Sequence, residues 1–431
     1  MSRNEKRPPL LPKGVLIPFL LLTSCFAWWG LANNMTDTLL AAFKRIKSMS
    51  DFQTSLIQMA FYGAYFCFAV PAALFIKRFS YKAGVLLGLG LFIIGGLLFY
   101  PASLTMEYWH FLLALYILAG GLSILETSAN PYIVEMGSPE TGTQRLNLAQ
   151  SFNPVGSILG VLISKVFILS QLQQIEAEER RAMDPEVLQE IQAGELAAVM
   201  GPYVVVSFFL VVIWLAIAFI KMPHAYDTPE ADRHQIHLMD SLKRLAGNGH
   251  YVMGVVAQFF YVGAQIGVWS FTIRYVMQEL KLNEEQAATY YLAALILFAL
   301  SRFVCTGLMS YLAPRLVLAA LSGLAVLLSL VVIYAGGYPG VYALVGISGC
   351  MSLMFPTIFG LAVAGLGPET KLAGSGLIMA ILGGAVLTAI QGQVSDFTGS
   401  IRLAFWVPVI CFVVVGAYGL TGGKRMVSAH A

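Results

Sequence analysis

The chain has 431 residues, of which 58% are apolar and only 11% charged, with a formal net charge of +3. Soluble domains carry about 25% charged residues, so a soluble globular fold of this size is excluded. The near-neutral balance also gives no electrostatic footprint for nucleic acid, and no apolar run alternates at period two as a barrel strand would.

A basic start (Arg3, Lys6, Arg7, Lys13) precedes the first apolar run without a small-residue cleavage pattern, so it reads as a retained terminus. A helix needs about 20 apolar residues to cross the hydrocarbon core. Twelve such spans follow, at 14–40, 53–76, 83–102, 108–135, 147–170, 201–221, 251–278, 286–312, 315–335, 341–366, 373–396 and 402–421. The run 316–368 holds no charge and is divided by Gly336-Gly337-Tyr338-Pro339-Gly340, a tight turn between two spans. The N-terminus and the loops after even-numbered spans hold more than twice as many Lys and Arg as the opposite side. The positive-inside rule then places both termini in the cytoplasm, with the acidic segment 171–200 as an outer loop. A polar inner connection, 222–250, divides the chain into a six-span bundle at 1–221 and another at 251–431. The expected fold is therefore all-α and integral to the membrane, with twelve transmembrane helices in two pseudo-symmetric six-helix bundles. That is the plan of a transporter holding its substrate near mid-membrane between the bundles.

Polar residues interrupt several spans at helical spacing. Asn33, Asn34 and Asp37 share a face of span one. Glu126 and Asn130 lie four apart on span four, followed by Pro131. Asn147, Gln150 and Asn153 form a stripe on span five, followed by Pro154, and Gln258, Tyr261, Gln265 and Trp269 form another on span seven. A proline in a span frees a backbone carbonyl, a common device where a helix lines a cavity. Any one stripe also suits interhelical glue; four stripes on four helices, drawn from both halves, point to a polar cavity. Amides offer donors and acceptors to hydroxyls, and aromatic rings cover the apolar face of a pyranose, so the set suits a neutral sugar. Arg274 and Arg302 fall near the ends of their spans and read as snorkelling side chains or interdomain ion pairs.

A carboxylate at bilayer depth is expensive and is usually functional. Glu126 lies about eighteen residues into span four, far from either face. Asp37 ends the uncharged run of span one, which also leaves open a solvated place near the outer interface. A carboxyl whose protonation follows the wetting of its cavity can couple proton movement to sugar movement. The five cysteines lie in apolar runs without metal spacing, and the six histidines are absent from the depths of the spans. With no nucleotide-binding glycine loop and no nucleophile–base pair, neither an enzyme nor a channel is expected, and no cofactor or metal.

The runs Trp29-Gly30-Leu31-Ala32-Asn33-Asn34-Met35-Thr36-Asp37, Leu125 to Pro131, Arg145 to Asn153, Ala257 to Gln265 and Phe355 to Phe359 resemble the signatures of the fucose–galactose–hexose proton symporters of the major facilitator superfamily. The resemblance covers nearly the whole chain in order and spacing. It implies alternating access and proton-coupled import of a monosaccharide, L-fucose first, with glucose, galactose or an amino sugar as alternatives. It further implies proton coupling at Asp37 and Glu126, and a cavity lined by Trp29, Asn34, Gln150, Asn153 and Trp269. The implied setting is the bacterial inner membrane, with sugar, proton and lipid as partners and a monomeric chain. One departure falls after span two, where Lys77 replaces the acid of the superfamily's loop motif while Arg78 and Lys82 remain.

Overall fold

The computed structural model describes residues 8–46, 51–168, 175, 177–223 and 238–421; within these, the side chains at 33, 36–45, 51–56, 58, 59, 165, 177, 178, 181, 284 and 285 are not described. The first half comprises α1 (Leu16–Ile46), α2 (Asp51–Arg78), α3 (Tyr81–Thr105), α4 (Tyr108–Glu135), α5 (Gly142–Gln150), α6 (Asn153–Ile163), α7 (Ala177–Ala182) and α8 (Pro185–Phe219). The second comprises α9 (Leu238–Gly247), α10 (Gly249–Leu280), α11 (Glu284–Leu308), α12 (Pro314–Tyr334), α13 (Gly337–Met351), α14 (Met354–Val363), α15 (Thr370–Met379), α16 (Gly383–Thr398) and α17 (Trp406–Thr421). Among the described residues, eleven stretches are long and apolar enough to cross a bilayer, and Leu16–Ala32 of α1 is a shorter apolar one.

Local signals stop and start these helices within a few residues. Ser80 caps α3, its hydroxyl accepting from the Ala83 amide at 3.0 Å, and α3 ends where Met106 turns left-handed at φ 53°. Asn248 caps α10 through the amides of His250 and Tyr251. At the far end of α8, the Lys82 ammonium donates to the carbonyls of Ala218 and Ile220, both at 2.8 Å, satisfying acceptors a helix C-terminus leaves open. Large apolar side chains stay exposed along the spans, Phe219 at 85% and Phe397 at 94% among them, as suits a hydrocarbon solvent rather than water.

The chain packs as two compact units. One is Ile17–Ala129 with Phe152–Met222; the other is Met1–Leu16, Asn130–Ser151 and Pro223–Ala431. In the second unit the end of α4 and all of α5, which belong to the first half of the sequence, group with second-half helices, α5 packing on α14 and α11. Arg145 organises that segment. It is fully buried and donates to the carbonyls of Ile133 (2.7 Å), Val134 and Leu10 (3.1 Å) and to the Thr141 hydroxyl. At the other end of this unit, Glu279 receives a two-pronged contact from Arg402 and the amide of Gly337 at 2.8 Å.

Two spans are broken near mid-length beside a proline; a third, span eleven, turns through Ala380–Leu382 between α15 and α16. Span five is split between α5 and α6 at Ser151–Phe152, and span ten between α13 and α14 at Ser352–Leu353. Pro154 and Pro356 lie just beyond these breaks, each lacking the amide that would continue the ladder. Spans four and ten are the most enclosed; each is the fourth of its half, a sign of the internal repeat that composition hides.

Within the expected loop 171–200, the described residues 177–200 are largely helical. Asp184 and Pro185 start α8, with the Asp184 side chain accepting from the Glu186 amide at 2.9 Å, and the helix runs unbroken into span six. Acidic composition does not by itself mark a loop, because Glu is a good helix former whatever its charge. Arg180 and Glu195 there form a buried two-pronged ion pair at 2.8 and 2.6 Å. Arg180→Met leaves Glu195 buried without that cation and is expected to cost about 3–5 kcal/mol. Arg180→Met with Glu195→Leu should recover much of the loss in thermal midpoint, measured in detergent.

Candidate functional site

In the first unit the site is built on a close crossing of α1 and α6. A Cβ on Gly30 would overlap the Asn153 carbonyl, and one on Gly156 would fall 2.6 Å from the Ala27 carbonyl carbon and 2.9 Å from its Cα. Only glycine permits backbones so close. The crossing brings Asn153 of α6 to α1, where its Nδ2 donates to the Phe26 carbonyl at 3.3 Å. The Gly30 carbonyl accepts from Asn34 Nδ2 at 3.2 Å and from the Ser157 hydroxyl at 3.4 Å. Asn34 and Asn153 are both partly exposed. Asn33 and Asp37 lie on α1, but their side chains are outside the described residues.

Glu126, on α4, is 2% exposed. It lines a cavity of about 10 Å³ with Cys25, Phe26, Trp29, Leu122, Leu125 and Ala129. That is room for about one water molecule in a lining otherwise apolar apart from the Trp29 indole. Trp29 donates from Nε1 to the Tyr65 hydroxyl at 2.7 Å, and Ser123 donates to the Tyr65 carbonyl at 3.0 Å. Tyr65 of α2 therefore fixes the indole ring beside the carboxyl. It escaped the sequence reading because span two shows no polar stripe; its spacing of four from Phe61, whose ring lies 5.4 Å away, was the available signal.

In the second unit, Gln150 Nε2 donates to Asn130 Oδ1 at 2.8 Å, pairing two of the expected amides. Asn147 Nδ2 donates to the Thr357 hydroxyl at 3.1 Å, and Gln144 Nε2 to the Ser310 hydroxyl at 2.7 Å. On α10, Tyr261 donates to the Met351 carbonyl at 3.1 Å and stacks edge-on with Phe355. Trp269 donates to the Ser348 hydroxyl at 3.2 Å and packs edge-on against Phe298. Gln265 and Trp269 are partly exposed, whereas Asn130, Gln150 and Tyr261 are buried. Gln258 is 0% exposed, and its amide makes no hydrogen bond among the described residues.

Arg302 differs from the snorkelling side chain or interdomain ion pair expected. It is 3% exposed and donates to the carbonyls of Gln150 (2.8 Å) and Ser352, with its guanidinium 4.7 Å from the Phe298 ring centre. Arg274 is exposed, as expected, and lies over the Phe271 ring.

The Major Facilitator Superfamily profile matches residues 19–385. The chain is 41% identical over 427 residues to the L-fucose-proton symporter of Haemophilus influenzae, covering 96% of this chain and 98% of that one. It is 34% identical over 409 residues to a glucose/galactose transporter of Brucella abortus, covering 94% and 93%. A crystal structure of the Escherichia coli fucose:proton symporter superposes with a TM-score of 0.89 at 38% identity, covering 96% of this chain and all of the other. The fold, the profile and these near-full-length relatives establish that the chain belongs to the Major Facilitator Superfamily, a multi-pass membrane transporter rather than an enzyme.

Proposed function

We propose that the chain is a symporter that imports L-fucose together with a proton across the bacterial inner membrane, with both termini in the cytoplasm and the monomer as the working unit. The observation that carries this reading is Glu126, a carboxyl buried in α4 at a small, mostly apolar cavity beside an anchored indole. A group that must gain and lose a proton as its surroundings change belongs in such a place. Glu126 is assigned the proton site next to sugar, and Asp37 the outer coupling site. Trp29, Asn33, Asn34, Asn130, Gln150, Asn153, Gln258, Tyr261, Gln265 and Trp269 are assigned the sugar contacts, amides to hydroxyls and rings to the C–H face. L-fucose ranks above glucose and galactose because the fucose-proton symporter shares 41% of aligned positions and the glucose/galactose transporter 34%.

The transport domains are assigned as 1–221 and 251–431, joined by the linker 222–250. The segment 130–151 then belongs to the first domain by sequence and exchanges its second-half contacts during the cycle.

Counterflow of labelled L-fucose in vesicles tests the reading. A symporter drives label transiently above equilibrium and returns it chemically unchanged; a channel gives no overshoot, and an enzyme returns an altered product. Asp37→Ala is expected to stop active uptake, and normal sugar-induced alkalinisation in that variant would remove its assigned role.

A further inference from the structure

The two breaks at mid-span share a chemical feature. In an unbroken helix the Gln150 carbonyl accepts from the amide of residue 154 and the Ser352 carbonyl from that of residue 356. Both positions are proline, so neither amide exists. These two freed carbonyls, 202 positions apart in the sequence, are the ones that Arg302 takes, through Nη1 and Nε respectively. A planar guanidinium presents several donors in a fixed fork and can satisfy two acceptors at once. The arginine has no ion pair with a carboxylate among the described residues; the Phe298 ring and the Tyr261 phenol are among its other neighbours.

The Gln150 end matters for recognition. Its side chain is held by Asn130 Oδ1 and its carbonyl by Arg302, so both ends of this residue are gripped. Three positions on, Asn153 opens α6.

We propose that Arg302 is a positioning residue for sugar recognition: it clasps the carbonyls freed by Pro154 and Pro356, and so fixes Gln150 and the Asn130 amide paired with it. It need not touch sugar or proton. The inference rests on the transport reading above.

Sugar uptake per amount of membrane-inserted protein provides the first test. Arg302→Lys keeps the charge but serves one carbonyl at a time, so KM should rise about tenfold while Vmax falls less than about threefold. The pH profile of the residual uptake should stay unchanged. A loss confined to Vmax, or a displaced pH profile, overturns the positioning role.

A second test needs no sugar. Arg302→Met should lower the thermal midpoint of the purified protein by about 5 °C. Adding Pro154→Ala and Pro356→Ala to that variant returns an amide to each carbonyl and should recover at least half of the drop. No recovery overturns the clasp. If the parent carries another monosaccharide, KM is measured with that sugar. If it carries none, the transport reading fails while the thermal test still decides the clasp.

Discussion

Glu126→Gln should reduce proton-driven accumulation of sugar to simple equilibration while sparing counterflow. Glutamine copies the shape of the protonated acid and cannot release a proton, so steps that need only a neutral side chain survive. The cavity at Glu126 has room for about one water molecule, and Trp29, anchored by Tyr65, forms part of its wall. The substituted amide therefore has little space to be replaced by a solvent relay. The measurement is labelled-sugar uptake into vesicles carrying an imposed pH gradient, beside counterflow with no gradient. Accumulation above equilibrium in the variant would show that the proton is carried elsewhere.

Gly156→Leu is the second large effect. A side chain there has no space, because a Cβ already meets the backbone of Ala27. Backbone cannot swing aside as a side-chain tip can, so α1 and α6 must separate. Overpacking typically costs about 1–3 kcal/mol and sometimes more, and this contact belongs at or beyond the upper end. The separation also moves Asn153 from the Phe26 carbonyl it now meets. Little folded protein should reach the membrane, and any that does should bind sugar poorly. Gly194→Leu, at a glycine with nothing within 4 Å of its added Cβ, is the matched control. Equal yields from the two variants, measured by fluorescence size-exclusion chromatography, would contradict the close crossing.

Much of this architecture was legible before any coordinates, because a bilayer admits so few solutions. Runs of about 20 apolar residues can only be spans, and polar residues at three- and four-residue spacing must share a face. What spacing does not reveal is which face meets which partner. Gln150 and Asn130 were each visible as amides, but their mutual hydrogen bond joins helices 20 positions apart. Arg302 was misread because distance from a span end gives no direction: its acceptors are backbone carbonyls, which leave no trace in residue type. The prolines were visible, yet the cation that compensates for two of them lies 152 and 50 positions away from its carbonyls. The helical start ahead of span six is hidden for another reason. Asp184-Pro185 is a sound start signal, but the surrounding acids suggested a solvated loop, and the buried pairing of Glu195 with Arg180 appears only once the chain is folded. The Asp37 side chain lies outside the described residues, so its place on a face shared with Asn33 and Asn34 rests on spacing alone.

The most direct measurement of the central claim is the pH of a weakly buffered suspension of energy-depleted cells expressing the protein, on addition of single monosaccharides. Proton–sugar symport predicts prompt external alkalinisation with L-fucose, a smaller or absent response to glucose and galactose, and no response in cells carrying Glu126→Gln. Uptake of labelled L-fucose with no accompanying alkalinisation in the parent would contradict proton coupling. Alkalinisation by glucose or galactose and none by L-fucose would contradict the assigned sugar.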